Sequence, residues 1–178
     1  KEDRPVNLRM KLPLENEIEK IKLREDEYRP YIAVFLFEDA NARTGQTKLG
    51  QTLTEMLITA LIQADKFTVM ERVQLEKVLK EQSLSQSGII DTETAVEVGK
   101  LSGLEGVVMG SISQLKSSIE ADSRLIEVET GKALAAGNAR INNVEEIRAL
   151  ANSLAEQLSS KAYLIATEAD TTNIRNPE

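Results

Sequence analysis

The chain has 178 residues, 41% of them apolar, and a net charge of -7, which predicts one globular domain built around one core. It contains no histidine and no cysteine, and this excludes disulfides, thiolate nucleophiles, the usual zinc ligands and the usual near-neutral proton carrier. The excess of acidic residues also argues against nucleic acid and anionic lipid as partners.

Residues 1–30 are predicted to form an N-terminal arm or tether. Apolar residues alternate in its first half, and this period of two is typical of a half-buried strand, although Pro13 restricts such a strand to a sheet edge. Two alternatives therefore stay open: a loosely packed arm, or an edge strand that pairs with this sheet or a neighbour's. The charged stretch Glu15–Glu27 fits a short amphipathic helix or linker. The alternating residues are Val6, Leu8, Met10, Leu12 and Leu14.

The core begins near Arg29 with a continuous apolar run, Tyr31–Phe37, which predicts a strand buried on both faces. A polar loop is expected over Glu38–Gly45, followed by a long amphipathic helix from about Gln46. A second strand, Phe67–Met70, then completes a βαβ unit, so the two strands are expected to be parallel.

Two helices follow the second strand. The first is predicted from Arg72 to Gln82, and a polar break over Ser83–Gly88 separates it from the second. Asp91 is a good N-cap for the second helix, and Ser102–Gly103 is a typical end. The inward residues of this second helix are expected to be Ala95, Val98 and Leu101.

Three antiparallel strands are predicted next, followed by a last helix. The first two strands are joined by the short connector Gln114–Ser118, and Glu129–Gly131 turns the chain into the third. Asn143 is expected to start the last helix, with Glu146 returning a capping bond. The strands are Gly106–Ser113, Ile119–Val128 and Lys132–Ile141, and the buried face of the helix is Ile147, Leu150, Leu154, Leu158 and Ile165.

This order of elements, β-α-β-α-α-β-β-β-α, predicts an α/β (α+β) single domain with a mixed sheet of about five strands and helices packed on it. The domain is expected to span residues 31–166. Residues 167–178 are polar and without periodicity, which predicts a flexible C-terminal tail.

Six residues are candidates for a ligand or interface site. Glu38 and Asp39, with Arg43 nearby, follow the first strand, where open α/β sheets usually hold ligands; the alternative is a solvated turn whose acids accept backbone N–H bonds. Glu71 and Arg72 form either an interface pair or a favourable helix start. Arg124 shares a strand face with Glu120 and Asp122, which indicates either a contact surface or a solvated charged patch.

No catalytic residue, cofactor site or metal site is predicted, and we do not expect an enzyme. The segment around Gly99–Lys100 departs from a phosphate-binding loop, since Thr94 stands where a glycine is needed and Leu101 where serine or threonine is needed. The paired acids Glu145–Glu146 and Glu25–Asp26 are expected on exposed faces, where solvated charge is the usual state.

Four segments together resemble the family of the curli secretion-channel lipoprotein CsgG: IAVFLFED, FTVMERVQLEKVLKEQSLSQSGIID, AVEVGKLSGLEGVVMGSIS and RLIEVETGKAL. The resemblance covers about Tyr31–Asn142 and implies the fold of that family. Its most specific residues are Glu71–Arg72, Glu81–Gln82, Gly99, Gly103, Gly110, Arg124 and Thr130–Gly131.

The resemblance also implies a location and a difference from the curli channel. Family members are exported to the bacterial periplasm or anchored to the outer membrane by a lipid on an N-terminal cysteine, so an anchor is expected upstream of Lys1. The channel itself carries two long membrane-crossing hairpins, each needing roughly 20 residues. Gln114–Ser118 and Asn142–Val144 are too short for them, which predicts the soluble periplasmic domain without the pore.

Other relatives implied by the resemblance include an activator lipoprotein of penicillin-binding proteins, a flagellar basal-body component and the small domain of the Tol translocation protein. All act by protein contact. We therefore expect an accessory or scaffold domain that contacts secretion, flagellar or cell-wall proteins. Self-association into a homo-oligomer is an additional possibility that stays open. A regulator of an envelope enzyme such as a peptidoglycan synthase is the alternative, and a small-ligand-binding domain is a further one.

Overall fold

The computed structural model describes residues 28–84 and 90–165. Residues 1–27 of the predicted arm, which include the charged stretch Glu15–Glu27, and the predicted C-terminal tail lie outside these ranges. So does most of the polar break predicted before Asp91.

A mixed sheet of six strands forms the centre of the described chain, in the order β3-β1-β4-β5-β6, with β2 paired to β4. β1 is parallel to β3 and to β4, and β4, β5 and β6 form an antiparallel meander. The strands are β1 Tyr31–Val34, β2 Glu38–Asp39, β3 Thr68–Val69, β4 Gly106–Gln114, β5 Ile119–Glu127 and β6 Ala133–Ile141. The helices are α1 Ala42–Thr47, α2 Leu49–Gln63, α3 Arg72–Glu81, α4 Thr92–Leu101, the 3-10 turn Val144–Glu146 and α5 Ile147–Ser159.

The mixed sheet, the parallel βαβ unit and the meander are confirmed. The sheet separates two apolar cores because side chains of a strand alternate between its faces. Ile32 and Val34 enter the first core with α2 and α5, whereas Ala33 and Phe35 enter the second with α3 and α4. We call the corresponding sides of the sheet the first and second face.

The last helix packs as predicted. It covers the first face of the meander, and every residue predicted on its inner face is buried. Leu150, Leu154 and Leu158 are at most 1% exposed, so this seam carries much of the first core.

The polar loop predicted over residues 38–45 is wrong. Glu38 pairs with Ser111 and Asp39 with Ile112, because the neighbouring edge of β4 offers backbone groups that a short strand can satisfy. The amide oxygen of Asn41 then accepts from Thr44 N (3.3 Å) and starts α1. The single long helix is likewise two helices, separated at Lys48, whose φ of 52° is left-handed.

Three further predictions fail in detail. Leu101 is 68% exposed, because at 100° per residue it lies on the opposite side of α4 from the buried Ala95 and Gly99. Glu146 accepts from Asn142 N (3.3 Å) rather than from the cap residue, since the helix begins with a 3-10 turn. Leu36, within the run predicted to be buried, is 46% exposed.

Close packing explains Gly110, one of the residues that carry the family resemblance. A Cβ at this position would lie 2.2 Å from Asp122 O and 2.4 Å from the ring of Phe37. Only glycine therefore lets the fully buried Phe37 ring lie against the backbone of β4.

The two connectors predicted to be too short for membrane-crossing hairpins are indeed short. Four residues, 115–118, join β4 to β5, closed by a bond from Leu115 N to Ser118 O of 2.7 Å, and two residues, 142–143, separate β6 from the 3-10 turn. The helices of residues 28–84 and 90–165 include none with the length and apolar character needed to span a bilayer.

Candidate functional site

Part of the second face carries no helix. α3 and α4 pack over β1, the start of β4 and the end of β5, but within residues 28–84 and 90–165 no helix packs over the rest of the meander's second face. The uncovered residues are mostly polar. We call them the open face: Ser111, Ser113, Glu120, Asp122, Arg124, Ala136, Asn138 and Arg140.

The strand register arranges the open face in cross-strand rows. Glu120 lies between Ser113 and Arg140, and Arg140 Nε donates to Glu120 Oε1 at 2.6 Å. Asp122 lies between Ser111 and Asn138 in the next row. Because these side chains stand on a hydrogen-bonded ladder, their positions relative to one another are set by the backbone.

A groove of about 220 Å³ lies where the open face meets the start of α4. It brings together Glu38 and Arg124, two of the predicted residues, although they are far apart in sequence. The β2–β4 pairing explains this, because Glu38 is directly opposite Ser111. The polar lining is Glu38, Thr92, Ser111, Asp122, Ser123 and Arg124.

Asp39 does not share this groove. Its Oδ1 accepts the N–H of Gly50 at 2.9 Å, at the start of α2, where an acid is favoured by the helix dipole. Gly50 is needed for this approach, since a Cβ there would lie 2.2 Å from Phe37 O. Asp39 therefore fits the alternative to a ligand site, in which the acids accept hydrogen bonds from backbone N–H groups.

The other three predicted residues lie elsewhere. Arg43 is exposed on α1, and Glu71 is exposed before α3 and makes no capping bond with its side chain. Arg72 donates from Nε to Glu76 Oε1 at 2.8 Å, and its Nη1 lies 3.8 Å from Glu55 Oε1 on α2. The six predicted residues thus do not form one site.

The outer edge of β6 is closed by α5. Gln157 Nε2 donates to Asn138 O at 2.8 Å, and Asn138 N donates to Gln157 Oε1 at 3.2 Å. One side-chain amide therefore takes both backbone groups that another strand would use at this position, which discourages edge-to-edge pairing. The open face is thus presented by a sheet whose outer edge is blocked at Asn138.

Asp91 holds the helix that borders the groove. Its Oδ1 accepts from Thr94 N at 2.8 Å and caps α4. This bond from the Thr94 N–H holds the pKa of the Asp91 carboxyl below its usual value of 3.8. Thr92 is therefore placed at the groove by a capped helix start.

The six candidates from the sequence did not include four residues of the open face and groove: Thr92, Ser111, Asn138 and Arg140. The alternation that marked Glu120, Asp122 and Arg124 continues in β6 as Asn138 and Arg140, so that pair was detectable. Thr92 and Ser111 had no such signal, because their place depends on how α4 and β2 meet β4.

The chemistry of the open face is that of hydrogen bonds and ion pairs. Among the described residues, no group of three or more carboxylates, histidines or cysteines could hold a metal ion. The carboxylates and the guanidinium of the groove stand at a shallow, open surface, which suits recognition of a polar partner.

Solved structures of other proteins share this fold. The LpoB C-terminal domain from Salmonella enterica is 20% identical, with a TM-score of 0.52 over 70% of this chain and 92% of that chain. The LpoB C-terminal domain from Escherichia coli is 16% identical, with a TM-score of 0.50 over 64% of this chain and 83% of that chain. At such identities the likeness shows a shared fold.

A comparison with curated protein sequences returns no match. The family model described as "Curli production assembly/transport component CsgG" matches residues 14–129, which is more than half of the 178 residues. The matched range includes β1 to β5 and most of the open face. The chain therefore belongs to the CsgG family.

Proposed function

We propose that this chain is a non-catalytic accessory or scaffold domain of the bacterial cell envelope, and that it acts through protein-protein contacts. Its place is the periplasm, with a tether to the outer membrane. Membership of the CsgG family supports the envelope role. The single observation that carries the contact role is the open face, a rigid polar sheet surface without a helix over it in the described residues.

The open face suits protein recognition for two reasons. Its side chains stand on paired strands, so less conformational freedom is lost when a partner binds. Its charges along β5 change from acidic at Glu120 and Asp122 to basic at Arg124, and such a pattern selects a complementary partner and rejects like charge.

A charge swap tests this contact role. In the double variant Asp122→Arg with Arg124→Asp, the net charge is kept while the pattern is inverted. We expect recovery of specific envelope partners to fall by about tenfold or more in crosslinking pulldowns, with an unchanged circular dichroism spectrum and Tm. The matched control is Glu145→Arg with Arg148→Glu, an exposed pair at the start of the α5 region. Equal recovery by both swaps would contradict the proposal.

A regulator of an envelope enzyme such as a peptidoglycan synthase is the second candidate. The resemblance of residues 31–142 to the CsgG family, whose relatives include an activator lipoprotein of penicillin-binding proteins, favours it. Recovery of a cell-wall synthase, with a rate increase when the purified domain is added, would support regulation. Recovery of secretion or motility components without any effect on a synthase would support scaffolding.

Self-association and small-ligand binding remain proposals with their own tests. Native mass spectrometry at high protein concentration tests association, and a strict monomer would leave only contacts with other proteins. A thermal shift with an envelope metabolite that is lost in Glu38→Gln would support a small-ligand site at the groove. Cell fractionation of the lipid-modified precursor tests the outer-membrane tether.

A further inference from the structure

An apolar pocket of about 240 Å³ lies beside α3 at the end of β1. Phe35, 2% exposed, lies in its lining, and Leu36, 46% exposed, follows directly. The volume is below that of pockets that hold whole small molecules, and it suits one or two side chains of a peptide. The apolar lining is Phe35, Leu36, Leu79, Leu84 and Ile90, and the charged lining is Arg72, Glu76 and Lys80.

The charged side chains of this pocket differ in how many hydrogen bonds and ion pairs they form. Glu76 already accepts from Arg72 Nε at 2.8 Å. Arg72 Nη1 is buried and has no hydrogen-bond acceptor in the described chain, since the Glu55 carboxylate oxygen at 3.8 Å is beyond bonding distance. Lys80 makes no ion pair within residues 28–84 and 90–165.

An apolar surface beside the Lys80 ammonium and a partly bonded Arg72 guanidinium defines the chemistry of an occupant. The apolar part of the occupant would cover Leu36 and Leu79, and removal of this surface from water is favourable. A carboxylate next to it would accept from Lys80 and from the Arg72 guanidinium, whose side chain is 29% exposed, giving charge-assisted bonds. A basic occupant would instead leave both cations facing like charge.

We propose that this Arg72 pocket binds an acidic, apolar peptide segment of a partner protein, with a leucine-like side chain against Leu36 and a neighbouring carboxylate on Arg72 and Lys80. The site is separate from the open face, and the proposal stands whether or not the open face binds a partner. It assigns to Arg72 the interface role that the sequence left open.

Selection from a random dodecapeptide library displayed on phage tests the proposal with the full chain as target. We expect enriched peptides to place leucine, isoleucine or phenylalanine next to aspartate or glutamate. Replacing those acids by their amides in a synthetic copy should weaken binding by about tenfold. No enrichment, or enrichment of basic or uncharged peptides, would overturn the proposal.

Two variants and one control locate the site. Leu36→Ser and Lys80→Gln change exposed positions, so both should fold, and each should weaken binding of the best peptide by about fivefold or more. Val73→Ser is the matched control, since Val73 is 73% exposed on the same helix and does not line the pocket. Equal loss in Val73→Ser, or no loss in the other two, would place the peptide elsewhere and overturn the assignment.

Methyl NMR of the free chain distinguishes other occupants. Shifts of the Leu36 and Leu79 methyls that depend on protein concentration would identify a second copy as the occupant. Concentration-independent contacts from the Leu36 methyls to residues 85–89 would identify the chain itself. Either result overturns the peptide proposal, whereas shifts of these methyls on peptide addition support it.

Discussion

The two faces of the β4–β6 meander come from the same three strands but differ in character. On the first face, Ile112, Ala121 and Leu125 are at most 1% exposed and pack under α5. On the second face, the residues between them, such as Asp122 and Arg124, are exposed. The period of two thus places an apolar core and a polar recognition surface a single residue apart along each strand.

This comparison teaches that the open face is free to vary in a way that the first face is not. The first face must match the shape of α5 and α2, because a packed core loses stability when volume changes. The open face needs only to stay polar for folding. Its particular order of charges therefore has room to serve recognition.

The largest effect is expected from emptying the first core. Leu154→Ala removes a fully buried side chain of α5 and should lower the free energy of unfolding by about 2–5 kcal/mol. Arg124→Ala on the open face should change it by no more than about 0.5 kcal/mol. Urea unfolding followed by circular dichroism measures both. Equal effects would remove the distinction between the faces.

A pair of glycine variants tests how tightly the first-face helix α2 meets the sheet. Gly50→Ala puts a Cβ 2.2 Å from Phe37 O and should destabilise the fold by about 1–3 kcal/mol. Gly45→Ala in α1 is the control, because the nearest atom to its Cβ is 4.0 Å away. That change should stabilise by about 0.5–1 kcal/mol. Thermal unfolding of the two variants should therefore shift Tm in opposite directions, and a shift of both in the same direction would contradict the packing argument.

The boundary between the two faces is the outer edge of β6. Gln157→Ala removes the side chain that occupies both backbone groups of Asn138 and should cost about 1 kcal/mol. The freed edge should also increase dimerisation, because an unpaired strand edge is a template for another strand. Sedimentation velocity over a concentration series measures this change. Gln63→Ala at the end of α2 is the control, and an unchanged oligomeric state in Gln157→Ala would mean that the edge is protected by something else.

The smallest effect is expected at Asp91, which caps the helix at the groove. Its pKa is lowered in the folded chain by the hydrogen bond from Thr94 N–H. The cap therefore stabilises the fold fully above the unfolded value of 3.8, and its contribution is lost as the pH falls through the lower folded pKa. The Tm difference between wild type and Asp91→Ala should disappear over this acidic range. The Asp122→Ala variant on the open face controls for loss of one carboxylate, and a difference that persists at low pH would contradict the capping argument.

Much of the fold was predictable because it rests on patterns within a few residues. The period of two in β4 to β6 and the helical period from Ile147 to Leu158 each mark a buried face directly. Asp91 and Gly103, with φ of 66°, mark the ends of α4 by their local chemistry. The charged face around Arg124 was also correctly expected on the solvent side.

The surface grouping was not predictable in the same way. Glu38 and Asp39 are neighbours in sequence, but a two-residue strand sends one to the groove and the other to the start of α2. Leu36 lies in an apolar run, and its exposure depends on where the chain leaves the sheet. These outcomes depend on which elements happen to be adjacent, which no local pattern records.

The amino-acid sequence by itself determined the order of the longer elements and the faces of the long strands and helices, since periodicity and capping act over a few residues. The family followed separately, from the likeness of particular residues to the CsgG family. Only the tertiary structure decided that α3 and α4 stop short of the outer meander, that Gln157 closes the β6 edge and that Arg72 lines an apolar pocket. The reason is that burial is shared between distant segments. Where helix cover ends therefore depends on the packing of the whole domain.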